Sequence, residues 1–370
     1  MYQFYLIAWW SYILLVDAVL ALKTRRHLVF NRNLIHLVIL SSAFWCMFEL
    51  INLRLQNWFY VNIPYPPVLR FAGYLLAYGT VIPALYLTKE MLSHVLPEMK
   101  FESKWLGNYP AYMIPSGFLL LALAVAFPTY FFPVAWIFLA FILDGINYWS
   151  GYDSFLRHLE RGSLKEILAT ALAGIVCGVL WESWNYWSVV KWIYTVPFFE
   201  ELKLFEMPLL GYIGFAFFSI ETIAFLNFFQ GNRFLISRRW SISFLALIFS
   251  VFTFFLIDRG TVFSHTAGVK QLTFLTEGQR QELTVKGVET SHGIDPALLG
   301  EQQRKKLALL HLKGLGMRNL ERLDERGIET IAAFSGLSPE ELSSIIEDKN
   351  MRRVRIYVRA AQKQAARNPY

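Results

Sequence analysis

The sequence reads as an all-α, polytopic membrane protein of about eight spans with a small soluble helical domain behind it, and three observations lead there. Hydrophobic residues make up 55% of the 370 residues and aromatic residues 17%, more than two soluble domains carry. The apolar residues fall in blocks of roughly 20, each long enough to cross about 30 Å of hydrocarbon. These blocks stop at Ile257, after which the chain turns polar.

Candidate spans cover about 4–22, 34–53, 68–92, 110–127, 130–149, 167–187, 208–229 and 240–257. Trp58, Tyr60, Trp192 and Tyr194 sit just past block ends, as interfacial aromatic residues do. The first block has no basic residues before it and no small-residue cleavage site after it, so it is expected to stay as a span. Cys46 and Cys177 lie inside blocks and read as core residues. Lys and Arg concentrate in the connections after spans one, three, five and seven, including Arg25, Arg26, Arg238 and Arg239. The positive-inside rule puts those connections in the cytoplasm of a bacterial-type inner membrane. With an even number of spans, the C-terminal domain is then expected on the extracytoplasmic side.

The membrane part reads as two tandem four-span copies, 1–128 and 129–258. Trp9 and Asp17 match Trp136 and Asp144, and Phe48-Glu49-x-x-Asn52 matches Trp181-Glu182-x-x-Asn185. Trp58-x-Tyr60 with Pro64 matches Trp192-x-Tyr194 with Pro197. An even number of spans per copy inserts both the same way up, related by an axis along the membrane normal.

Ionisable residues inside spans cost a few kcal/mol each and mark candidate sites. Asp17, Glu49, Glu90, Asp144, Glu182 and Glu221 fall in or at the ends of spans, accompanied by Asn52, Asn147 and Asn185. In each Glu-x-x-Asn pair both side chains share one helical face. The candidate catalytic set is Glu49, Glu182, Asp17, Asp144, Asn52 and Asn185, converging between the copies. A carboxylic acid there could protonate a carbon–carbon double bond of an isoprenoid; equally, the same groups could only hydrogen-bond between helices. Asn stands where a di-iron bundle needs His, and neither a phosphate loop, a nucleophile elbow nor a Cys-x-x-Cys is present. No metal or cofactor is expected. Gly211 with Gly214, and Ala171 with Gly174 and Gly178, read as helix-packing patches.

The order of acidic residue, aromatic W-x-Y segment, proline and acidic cluster resembles lycopene cyclase-type membrane proteins and the related carotenoid hydratases. It is carried by Glu49 with Trp58-Phe59-Tyr60, and by Glu182 with Trp192-Ile193-Tyr194, Pro197 and Glu200-Glu201. The resemblance implies acid-catalysed attack on an isoprenoid double bond without a redox cofactor. It covers about half of the membrane part, and the first copy lacks an acidic pair after Pro64. The segment from Trp181 to Trp187 also resembles bacterial membrane proteins of no known function.

Residues 259–294 show little helical periodicity and read as a linker with some extended structure. Asp295-Pro296 reads as the start of a helix, and Ser338-Pro339-Glu340-Glu341 as a capping box opening another. The series Leu309, Leu312, Gly314-Leu315-Gly316, Leu320, Leu323 and Gly327-Ile328 resembles helix-hairpin-helix domains, here in 295–370, with Leu320 where that family usually has alanine. The resemblance implies a hairpin contact with nucleic-acid phosphate through Gly314, Leu315 and Gly316, flanked by Lys313 and Arg318. The expected side of the membrane disfavours nucleic acid and favours a protein partner. The basic final helix, with Arg352, Arg353, Arg355, Arg359 and Lys363, would suit an acidic lipid headgroup or partner. Two functions are therefore expected: a membrane scaffold with a C-terminal interaction domain, or a cofactor-independent enzyme acting on an isoprenoid or lipid.

Overall fold

The structure, a computed structural model, describes residues 3–102, 108–198 and 202–367. The chain divides into two compact units. The first, made of residues 1–55, 71–188 and 199–258, is the membrane unit. Its helices are α1 (Phe4–Thr24), α2 (Leu34–Leu55), α3 (Pro67–Tyr78), α4 (Val81–Val95), α5 (Tyr109–Ala126), α6 (Pro128–Phe131), α7 (Phe138–Ser150), α8 (Phe155–Glu160), α9 (Lys165–Trp187), α10 (Gly211–Gly231), α11 (Arg233–Ser237) and α12 (Arg239–Gly260). Among the described residues, eight stretches are long and apolar enough to span a bilayer, with α3 and α4 forming the third and α6 with α7 the fifth. The protein is a multi-pass membrane protein.

The third span is interrupted at Gly79 and Thr80. A broken helix frees backbone groups that lipid cannot satisfy, and Ser41 on α2 satisfies two of them. Its hydroxyl donates to the Tyr78 carbonyl at 2.7 Å and accepts from the Ile82 amide at 3.0 Å. Close approach explains the second glycine patch: a Cβ on Gly174 or Gly178 of α9 would collide with Phe215 of α10. The first patch does something else, since Gly211 lies against Met207 and Gly214 faces Trp136.

The second unit combines residues 56–70, 189–198 and 259–370. Those segments follow spans two, six and eight, which an even count brings out on one face of the membrane. Strands β1 (Trp58–Val61) and β2 (Lys191–Tyr194) pair antiparallel, with Trp58 opposite Tyr194, Phe59 opposite Ile193 and Tyr60 opposite Trp192. The two Trp-x-Tyr segments therefore pair crosswise, each Trp opposite the other segment's Tyr. A short hairpin in the membrane unit, β3 (Lys203–Leu204) with β4 (Met207–Pro208), completes the strands.

Around β1 and β2 fold α13 (Glu277–Val285), α14 (Glu301–His311), α15 (Met317–Asp324), α16 (Ile331–Ser335), α17 (Pro339–Ile346) and α18 (Met351–Arg367). The stretch 259–294, expected as a linker, is folded. Leu272, Leu275, Leu283 and Ile294 are buried in one core with Phe59, Val61 and Ile193, and a Thr276–Gln279 capping box opens α13. Leu272 and Leu275 enter the core from short turns and Leu283 is the single buried residue of the nine-residue α13, so they leave no helical period in the sequence. Asp295 caps only a single 3₁₀ turn, Pro296–Leu298, and α14 begins at Glu301. The capping box at Ser338 opens α17 as expected, its hydroxyl accepting from the Glu341 amide.

Candidate functional site

Glu49 and Asn52 lie on α2, Glu182 and Asn185 on α9, and all four are fully buried in the membrane unit. A run of aromatic rings connects the two pairs. Trp45, one turn before Glu49, donates its indole N–H to Glu49 Oε1 at 2.8 Å. The Trp45 ring lies 5.6 Å from that of Trp181, the residue preceding Glu182. Trp9 contacts Trp181 and Trp184 at 5.5 and 4.7 Å, and Phe48 stacks on Trp136 at 5.6 Å. Phe218 of α10 closes the set against Trp45, Phe48, Trp136 and Trp181. The two Glu-Asn pairs thus lie on helices linked by a packed cluster of aromatic rings, and the faces of such rings attract positive charge in an apolar site.

Asp17 and Asp144 do not join this set, because each anchors the segment that follows its own helix. Asp17 accepts from the amides of Leu28, Val29 and Phe30 at 2.8, 2.9 and 3.3 Å, and its Oδ2 lies 2.7 Å from His27 Nδ1. Asp144 accepts from the amides of Phe155 and Leu156 at 2.7 and 2.9 Å. In both cases the partners include the amides 11 and 12 residues onward, so each aspartate satisfies backbone N–H groups that burial would otherwise leave without an acceptor. Hydrogen bonds to a charged acceptor are the stronger ones. Asp144→Ala is therefore expected to cost roughly 2–4 kcal/mol and to speed hydrogen exchange at Phe155 and Leu156. An unchanged exchange rate there would refute the anchoring role.

The candidate set left out Glu221 on α10, although an acidic residue inside an apolar block was the available signal. It is fully buried one turn beyond Phe218, and its Oε1 accepts from the Leu139 amide at 2.9 Å at the start of α7. The carboxyl thus satisfies the N-terminus of a half-helix that begins inside the fifth span. Among the described residues, no group of three or more His, Cys, Asp or Glu side chains is arranged to hold a metal ion. Glu200 and Glu201 lie outside the described residues.

In the second unit the hairpin 312–316 turns inward. Gly314 and Gly316 have φ of +67° and +82°, and both, with Leu315, are buried. The Gly314 carbonyl accepts from Ser264 Oγ at 2.6 Å, the Leu315 amide donates to Leu312, and the Gly316 amide donates to Leu310. The Lys313 carbonyl accepts from Tyr357 at 3.1 Å. These groups are engaged within the unit, and only Arg318 of the five expected contact residues is exposed. No protein-family model matches the chain, and neither a curated protein nor a solved structure matches it.

Proposed function

We propose that the membrane unit is a cofactor-independent enzyme that protonates a carbon–carbon double bond of an isoprenoid or similarly unsaturated lipid. The observation that carries this reading is the pair of fully buried glutamates, Glu49 and Glu182, on helices joined by a packed aromatic cluster. One glutamic acid gives its proton to a double-bond carbon, its O–H bond breaking as a C–H bond forms from the π electrons. The carbocation left behind is stabilised by faces such as those of Trp9, Trp45 and Trp181. The reaction ends when a neighbouring C–H loses its proton to a carboxylate, giving a cyclised or isomerised product. Alternatively, water adds and loses a proton to the carboxylate, giving an alcohol. Neither outcome changes the oxidation level overall. Asn52 and Asn185, one turn from the glutamates, orient the carboxyls or the water.

Glu182→Gln keeps the shape and removes the acid. In the native membrane at equal protein level, it is expected to lower one lipid or pigment product by about 100-fold or more, the lower end of what a general acid contributes, while a less processed isoprenoid accumulates. A lipid and pigment profile identical to wild type would sink the enzyme reading.

A second reading, a membrane scaffold whose helix-hairpin-helix-like unit engages a protein, is favoured by the inward-facing hairpin, which leaves the outer helices for contact. The Lys and Arg distribution supports an inner-membrane location with this unit on the extracytoplasmic side.

A further inference from the structure

Helices α2 and α12 of the membrane unit meet along a line of small polar side chains. Ser42, Cys46 and Glu49 follow one another at helical spacing and share one face of α2. Ser243, Ser250 and Thr253 likewise share one face of α12. Two contacts fix how these faces lie together. His36 Nδ1 is 2.9 Å from the hydroxyl of Ser243, 207 residues further along the chain. The Cys46 thiol is flanked by the hydroxyls of Ser42, Ser250 and Thr253 and lies in the field of the Glu49 carboxyl. Thr253 is as far beyond Cys46 in sequence as Ser243 is beyond His36, so the helices run side by side from one contact to the other. Ala246, a small residue, occupies the α12 face between them. Ser42, Cys46, Glu49, Ser250 and Thr253 are fully buried. Among the described residues, the Ser42 and Ser250 hydroxyls and His36 Nε2 are buried without a hydrogen-bond partner. Three such groups on one helix pair point to a small ligand able both to donate and to accept, and ordered water is what satisfies buried polar groups that no protein group reaches.

We propose that α2 and α12 hold a file of water molecules running from His36 to Cys46 and Glu49. The two contacts are about 10 Å apart along the helices, a distance that about three hydrogen-bonded waters cover. The use made of this water rests on the enzyme reading, and it selects the alcohol-forming outcome. A glutamic acid protonates the double bond, a water from the file gives its oxygen to the carbocation, and that water's proton returns to the carboxylate. The double bond and one water become an alcohol, the carboxyl is restored, and the file refills from the His36 end.

The test reads the infrared S–H stretch of the full-length protein in nanodiscs after transfer to heavy water. The chain has two cysteines, and Cys46→Ala and Cys177→Ala assign the bands. Cys177 is the internal reference: it is as fully buried as Cys46, and its neighbour Thr88, 3.3 Å away, is engaged with the Ala84 carbonyl and Tyr12. Cys46 is expected to exchange about ten-fold faster than Cys177 or more, because water reaches it without opening the helix pair. Ser42→Val with Ser250→Val, and separately His36→Leu, should slow Cys46 and leave Cys177 unchanged. Cys46 exchanging as slowly as Cys177 overturns the proposal, and that comparison needs no substitution, so it holds even if the variants misassemble. Fast exchange at Cys46 that the substitutions leave untouched also overturns it, since the water would then arrive by another route. The exchange is independent of catalysis. Fast, substitution-sensitive exchange beside a lipid profile that Glu182→Gln leaves unchanged keeps the water file and sinks the enzyme, and slow exchange beside an altered profile does the reverse.

Discussion

Gly314→Val is expected to unfold the second unit or bring it close to unfolding while leaving the membrane unit assembled. A Cβ at Gly314 would stand 2.6 Å from Val61 Cβ and 2.9 Å from its Cγ2, on a residue with φ +67°. Val61 is fully buried in β1, so it has nowhere to move without breaking the strand pair. A left-handed conformation costs a β-branched residue about 1–2 kcal/mol, and overpacking a filled core adds about 1–3. A total of roughly 2–5 kcal/mol is a large fraction of ordinary domain stability. Gly327 supplies the control, because it has φ +72° and a Cβ there would meet nothing within 4 Å. Gly327→Val should lose only the conformational part, about 1–2 kcal/mol. Limited proteolysis and thermal unfolding of the purified protein separate the two. Equal stability of the variants would mean that the hairpin is not seated on β1, reopening it to an outside ligand.

How much of this was readable beforehand depended on whether the cause was local. Span positions follow from runs of apolar residues, and the cap at Ser338 follows from four consecutive residues, so both were legible. Glu49-x-x-Asn52 and Glu182-x-x-Asn185 were legible as polar pairs inside spans, and all four side chains are buried. What Asp17 and Asp144 do was not legible. The partners of Asp17 and Asp144 are backbone amides 11 and 12 residues onward, and amides carry no side-chain signature. The same limit hid Ser41, whose value lies in carbonyl and amide groups freed 37 and 41 residues away. The fold of 259–294 was missed because leucines at turns and a single buried leucine in a short helix have no period. Gly314 and Gly316 take positive φ, while what packs against them, Val61 and Ser264, comes from segments that only the tertiary structure brings together.

Lowering the pH to about 5 is expected to destabilise the second unit, because His292 and His311 are held neutral there. Their rings stack with centroids 4.0 Å apart, and Ser291 Oγ lies 3.0 Å from His311 Nε2 and 3.3 Å from His292 Nδ1. Burial pushes the His292 imidazole down to about 4, with the Lys191 cation adding to the effect. Burial, followed by the neighbouring His292, pushes His311 down to about 3. An unfolded chain binds protons on both rings once the pH falls through about 6.5, while the folded unit refuses them until far lower. Above that value the pair has no pH-dependent effect. Below it, stability falls continuously until the folded values near 4 and 3 are reached. For fully shielded rings the loss at about pH 5 would be roughly 2 kcal/mol each. Both are partly exposed, so solvent screening lowers the combined figure to about 2–3 kcal/mol. Denaturant unfolding of the second unit at about pH 5 and pH 7.5 measures it. His292→Gln with His311→Gln should flatten the pH profile even where it lowers stability at both values, because the variant has no imidazole to titrate. A profile as steep as wild type in that double variant would assign the acid sensitivity to other groups.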